Sequence, residues 1–153
     1  DKVKQSHVLD IDKNNRQATI IADISQKQNF PAEQFDCIIF TQTLQFIADP
    51  QAAIDSLHHM LKPGGRLLLT CPGITRVQTV GPEKNWYWSF TPVSLERLLM
   101  KRFRPETVDI HAHGNVFAAT CFLWGVAMEE VDQKELNYVD PNYPLIVSAS
   151  AKK

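Results

Sequence analysis

The stretch Phe35-Asp36-Cys37-Ile38-Ile39-Phe40-Thr41, continued by Leu44-Gln45-Phe46-Ile47-Ala48-Asp49-Pro50 and then Leu61-Lys62-Pro63-Gly64-Gly65-Arg66-Leu67, decides the reading of the fold. Residues 36–41 are almost continuously apolar and end in a polar residue. That is the pattern of a short strand buried on both faces, as in an α/β sheet. Asp49 followed by Pro50 then opens a helix, with an N-cap carboxylate ahead of a proline at the first helical position. Ala53, Ile54, Leu57, Met60 and Leu61 recur at helical spacing and make one apolar stripe. Lys62-Pro63-Gly64-Gly65 is expected to stop that helix, and 66–71 reads as the next strand. Strand, helix and strand in this order argue for a right-handed parallel crossover.

Working outward, 7–12 and 19–23 read as two further strands, separated by the turn-like Lys13-Asn14-Asn15. Beyond Pro72-Gly73 comes a loop of about 17 residues that carries Trp86-Tyr87-Trp88; loops of that length often act as lids. Thr91-Pro92 starts another capped helix, with Leu95, Leu98, Leu99 and Phe103 on one side. Residues 108–113 read as a strand. Asn115 is expected to cap a helix through Met128 that is apolar almost all round, and so to pack in the core, under a lid or at a subunit contact. Asp132 with Glu135 predicts a capping box for a short helix. Asp140-Pro141-Asn142-Tyr143-Pro144 reads as a turn into a closing strand at 145–151. No repeat, low-complexity tract or linker divides the 153 residues, so a single domain, 1–153, is expected.

Composition narrows the function class. Sixteen basic residues stand against seventeen acidic ones, with no basic run, which argues against nucleic-acid binding through phosphate neutralisation. No apolar run approaches the roughly 20 residues of a bilayer span, and nothing resembles a signal peptide. Cys37, Cys71 and Cys121 lie far apart in apolar stretches, the distribution of reduced core thiols rather than of zinc ligands. These features predict a cytoplasmic protein with no metal site and no membrane partner. The chain opens on Asp1 rather than methionine and reads as a piece of something longer.

The motifs between Asn29 and Pro72 resemble class I S-adenosylmethionine-dependent methyltransferases of the broad "type 11" kind. Phe35-Asp36 opening a strand, a helix after Asp49-Pro50, and Leu61-Lys62-Pro63-Gly64-Gly65 before the next strand carry the resemblance. A lone Lys-Pro-Gly-Gly would be weak; the combined spacing is fairly specific. The resemblance implies a Rossmann-like α/β sheet, mostly parallel with an antiparallel C-terminal strand, and S-adenosylmethionine as cofactor. It places a ribose-binding carboxylate at Asp12, or else Asp10. Asp23 and Ile24 fall where the adenine is contacted, and Thr41 and Gln42 where the reactive methyl normally points.

Two departures stand out. The family's Gly-x-Gly loop after its first strand is absent, so the first strand and helix are read as missing from the sequence. Phe46 stands where many relatives carry a histidine, so no base is placed there. The bland alternatives are strand-end or capping carboxylates for Asp10, Asp12 and Asp23, and simple capping for Thr41 and Gln42.

Trp86, Tyr87 and Trp88 are candidates to close over substrate, against plain anchoring of their loop. His111 and His113 share a strand face; the pair is weighed as a general base or a metal ligand against plain strand-end histidines, and His113 is a candidate substrate contact. The adjacent His58 and His59, about 100° apart on a helix, read as surface residues. An Asp/Asn-Pro-Pro-Tyr/Phe motif is lacking after residue 41. So is the Tyr-x-x-x-Lys of short-chain reductases, since no tyrosine has a lysine four residues later.

The expected activity is methyl transfer to an oxygen, nitrogen or carbon nucleophile on a small molecule or glycan, with no obligatory catalytic residue legible. The alternative is a methyltransferase-like binding or assembly module. The apolar helix after Asn115 leaves room for a homodimer contact.

Overall fold

Lys-Pro-Gly-Gly does more than end a helix. In the computed structural model, which describes residues 3–26, 30–77 and 85–153, helix α1 (Pro50–Met60) passes directly into strand β4 (Leu61–Pro72). Leu61 pairs with Phe35 of the parallel strand β3 (Phe35–Thr41), and regular pairing resumes only at Cys37 with Arg66. The residues between bulge outward. Gly64 takes a φ of 80°, and a side chain at Gly65 would meet the Lys62 and Phe35 carbonyl oxygens.

Beyond the bulge the sheet is regular. Its order is β3-β4-β6-β5, with β5 at Val108–His113 and β6 at Ile146–Lys152. β6 runs antiparallel to both of its neighbours, so β3, β4 and β5 point the same way. The sheet is mixed: β3 and β4 pair in parallel, and the C-terminal strand is antiparallel as expected. Helices α1 and α2 (Pro92–Leu99) cover one face, where Leu57, Leu67, Leu69, Leu95, Leu99 and Val147 are fully buried. Both caps form as predicted: Asp49 accepts from Ala52 N, and Thr91 with Ser94 closes a reciprocal box.

The other face differs from expectation. Cys37, Ile39 and Leu68 are exposed, Ile39 at 72%. β3 is therefore buried on one face among the described residues, not on both. Cys37 is accordingly no core thiol, whereas Cys71 is buried and its thiol is pushed up to about 12 by desolvation. The two upstream strands shrink to Leu9–Asp10 (β1) and Ile20–Ile21 (β2), a parallel pair separate from the main sheet. Two strands alone have too few neighbours to extend their ladder.

Two predictions arise here. A Cβ on Gly73 would sit 2.2 Å from the Pro144 carbonyl oxygen, a backbone atom that cannot step aside. Gly73→Ala is expected to cost about 1–3 kcal/mol, as overpacking does, read by urea denaturation. Asp55 makes a paired contact with Arg102, both N···O distances 2.7 Å, and this draws the carboxyl down to about 2. A carboxyl that titrates lower when folded stabilises the fold fully above its unfolded value of about 4. That contribution fades as pH falls toward about 2. Asp55→Asn should lower stability near neutral pH and lose its effect in acid; a deficit independent of pH would contradict this.

Candidate functional site

β3, β4 and β5 end together. Thr41 lies opposite Thr70, while Pro72 and His113 both pair with Ile146, so the three carboxyl ends share one rim. The short pair joins them: His7, ahead of β1, packs edge-on against Phe35 at the start of β3, ring centroids 5.7 Å apart. One hydrophobic core runs from Ile24, past the end of β2, to Leu44, past the end of β3. Within each parallel pair, β1 with β2 and β3 with β4, the carboxyl ends lie together, and open α/β sheets bind ligands beyond such ends.

The three candidate carboxylates differ in how far their oxygens are already engaged. Asp10 accepts from Asp12 N (2.9 Å) and Asn15 Nδ2 (2.5 Å), using both oxygens. The Asn15 bond, then the Asp12 amide, hold its carboxyl below the usual range. Asp12 accepts twice from Asn14 through Oδ1 alone, and no bond occupies Oδ2 among the described residues. Asp23 is partly buried, which pushes its carboxyl up. Hydrogen bonds from the Ser25 hydroxyl (2.7 Å) and amide (2.9 Å) outweigh burial and leave it lowered. Ile24 beside it is buried. All three carboxylates also serve as local turn acceptors, the bland role foreseen for them.

Past β3 the chain is held in an unusual conformation. Gln42 has a φ of 48°, the left-handed region that side-chain-bearing residues seldom occupy. It is fixed by Gln42 N donating to Thr70 O (2.9 Å) and Gln42 Nε2 to Thr70 Oγ1 (3.3 Å). The 3-10 turn Leu44–Phe46 follows, with Leu44 buried and Gln45 only 2% exposed.

The aromatic loop is pinned on this turn. Tyr87 N donates to Gln45 O (2.9 Å), Trp88 Nε1 donates to Ile47 O (2.8 Å), and Trp86 packs edge-on against Phe46 at 5.1 Å. Trp86 and Trp88 thus make the anchoring contacts weighed for them, while the Tyr87 side chain is exposed. Residues 78–84 of the loop lie outside the described residues. Sequence reasoning missed Gln45 and Phe46 as the seat of this loop, since the contacts span about 40 residues and leave no local signal. Gln45 Oε1 and Trp86 Nε1 are buried with no partner among the described residues. An orphaned buried group of this kind costs about 1–3 kcal/mol unless a water or ligand satisfies it.

Two cavities border the rim. The larger, about 600 Å3, lies beside α2 and is lined by Pro50, Trp88, Phe90, Arg97, Leu98 and Lys101. The smaller, about 240 Å3, joins Gln42 and Pro72 to Ile74, Phe122 and Leu145. Asp10, Asp12 and Asp23 line neither, and nor does His113, which is exposed and bonded through Nε2 to Ser148 Oγ at 2.7 Å. His58, read as a surface residue, is half-buried against Phe103, and burial lowers its pKa. No cluster of metal-ligating side chains occurs among the described residues. No described helix is long and apolar enough to cross a membrane.

Comparison with known proteins bears on the family and the fold. Residues 3–69 match the methyltransferase domain family. Over 40 residues, 26% of this chain and 16% of the relative, the sequence is 45% identical to the ubiquinone/menaquinone biosynthesis C-methyltransferase UbiE of Enterobacter sp. (strain 638). In fold, the chain is similar to an S-adenosylmethionine-dependent methyltransferase of Archaeoglobus fulgidus, with TM-score 0.59 and 14% identity; 95% of this chain and 74% of that one are covered. It is also similar to Haemonchus contortus phosphoethanolamine N-methyltransferase 2 bound to phosphomonomethylethanolamine and S-adenosylhomocysteine. There the TM-score is 0.57 at 17% identity, covering 87% of this chain and 36% of that one. The chain thus spans only part of the length of these relatives. The chain is therefore similar in sequence, over residues 3–69, to the methyltransferase domain family, and over most of its length it has the fold of S-adenosylmethionine-dependent methyltransferases.

Proposed function

We propose that the protein binds S-adenosylmethionine across the tips of β1, β2 and β3. We propose further that it directs methyl transfer to an oxygen, nitrogen or carbon nucleophile of a small-molecule or glycan acceptor. The observation that carries this reading is the array of strand ends: Asp12 with one unengaged carboxylate oxygen, Asp23 beside buried Ile24, and Thr41 followed by Gln42 in its left-handed conformation. Bound there, the cofactor supplies a methyl group on a positively charged sulfur that departs as a neutral thioether.

The residues present fit the nucleoside half of such a ligand. Asp12 Oδ2 can accept from a ribose hydroxyl, Asp23 from an exocyclic amine, and Ile24 offers an apolar wall. The chain has no Gly-x-Gly segment to bring backbone amides close to the amino-acid half. With an intrinsically activated methyl, the remaining tasks are alignment and exclusion of water. The fixed Gln42 turn and the aromatic loop seated on Gln45 and Ile47 suit both. A general base is needed only where the acceptor is weakly acidic.

The test is equilibrium dialysis of the full-length protein with methyl-labelled S-adenosylmethionine. Saturable one-to-one binding is expected. No saturable binding would overturn the reading in favour of a methyltransferase-like assembly module, since a fold alone does not establish an activity.

A further inference from the structure

The geometry points to the smaller cavity as the acceptor site, and to an uncharged, predominantly apolar acceptor. This rests on the methyl-transfer reading and narrows it. The cavity opens between the exits of β3 and β4 and helix α3 (Val116–Trp124), with Gln42, which the methyl-transfer reading puts beside the transferable methyl, on its wall.

Its lining decides the ligand class. Among the described residues, Pro72, Ile74, Phe122, Leu145 and Ile146 line it as apolar groups, Gln42 and Thr75 are the polar side chains, and none is charged. A phosphate or carboxylate there would lose its hydration without a countercharge, and a glycan would find too few hydrogen-bond partners. At about 240 Å3 the space is smaller than a typical whole-ligand pocket, so it takes the apolar part of a larger molecule.

Helix α3 supplies the second observation. It was expected to be covered and to run through Met128. Instead it stops at Gly125 in the left-handed conformation, and Ala119 is its only buried residue. Phe122 and Leu123 are about half exposed and Trp124 is 81% exposed. Yet the helix is firmly placed. Buried Asn115 caps it through Ala118 N (2.7 Å) and donates to the Glu135 and Tyr138 carbonyls beside α4 (Gln133–Asn137). Asp140 N donates to Gly114 O. A rigidly held apolar helix beside an uncharged cavity is a wall for an apolar ligand.

The experiment titrates the full-length protein, saturated with S-adenosylhomocysteine, with the neutral fluorophore N-phenylnaphthylamine. Saturable binding is expected, weakened at least about ten-fold by Phe122→Glu and unchanged by Trp124→Glu. Naphthol should displace the probe at least about ten-fold more effectively than naphthyl phosphate. Both substituted side chains are exposed, and thermal melts confirm that the variants fold. No saturable binding, binding insensitive to Phe122→Glu, loss in Trp124→Glu instead, or equal competition by the phosphate each overturns the proposal. Calorimetry of S-adenosylhomocysteine alone keeps the outcomes apart. Intact cofactor binding with a failed probe sinks only the acceptor assignment; absent cofactor binding sinks the methyl-transfer reading and the acceptor role with it.

Discussion

Replacing Asp12 by asparagine is expected to weaken S-adenosylhomocysteine binding to the full-length protein by about 10- to 100-fold while barely changing stability. The carboxylate has two jobs on different oxygens. Oδ1 accepts from the Asn14 amide and side chain and so closes the turn after β1. Oδ2 has no bond among the described residues and is the atom we propose is offered to the ribose. Asparagine keeps a turn acceptor and deletes the negative oxygen. A hydrogen bond to a charged group is worth about 1.5–3 kcal/mol, which corresponds to the stated loss. Asp10→Asn should behave in the opposite way. Both Asp10 oxygens are tied within the turn, so that change should loosen the turn and touch cofactor affinity less. Paired calorimetry and thermal melts check this. Equal cofactor loss in both variants would move the ribose contact away from Asp12.

The second large effect is structural. Leu44→Ala is expected to destabilise the fold by about 2–5 kcal/mol, read from urea midpoints. Leu44 is fully buried in the core cluster, in the first residue of the turn that seats the aromatic loop. Truncating it leaves a cavity beneath Gln45, whose carbonyl holds the Tyr87 and Trp88 amides. Loss of stability should therefore come with loosening of the 86–88 segment, visible as faster amide exchange at Tyr87 and Trp88. A destabilised protein with unchanged exchange there would mean that the loop is held by other contacts.

The parts of the fold that could be read in advance are those whose determinants are local. Asp49-Pro50, Thr91-Pro92 and Asn115 begin helices because each cap is completed within three residues. β5 could be placed to its ends because alternation and flanking turns frame it. What escaped depends on distant partners. Residues 7–12 and 19–23 carry enough apolar side chains for full strands, yet a ladder extends only as far as a neighbour accompanies it; the pair stops at two residues each. Ile39 looks like a doubly buried strand residue, but only α1 and α2 cover the sheet among the described residues. Capping of α4 was foreseen as reciprocal; Asp132 instead accepts from Lys134 N, one position earlier.

The candidate site divides along the same line. Its strand-end aspartates could be named because short parallel strands end in turn-forming carboxylates. The resemblance, not periodicity, marked which of them face a nucleoside. The acceptor wall was hidden because Phe122 and Ile74, 48 residues apart in sequence, meet only once β4 and β5 are aligned in register through β6.

The central claim is that the tips of β1 and β2 hold the nucleoside of the cofactor. A crystal structure of the full-length protein with S-adenosylhomocysteine tests it most directly. The prediction is a ribose hydroxyl at about 2.6–3.0 Å from Asp12 Oδ2, with the adenine lying against Ile24 and its amine toward Asp23. A nucleoside bound away from both aspartates, in the cavity beside α2 for instance, would contradict it.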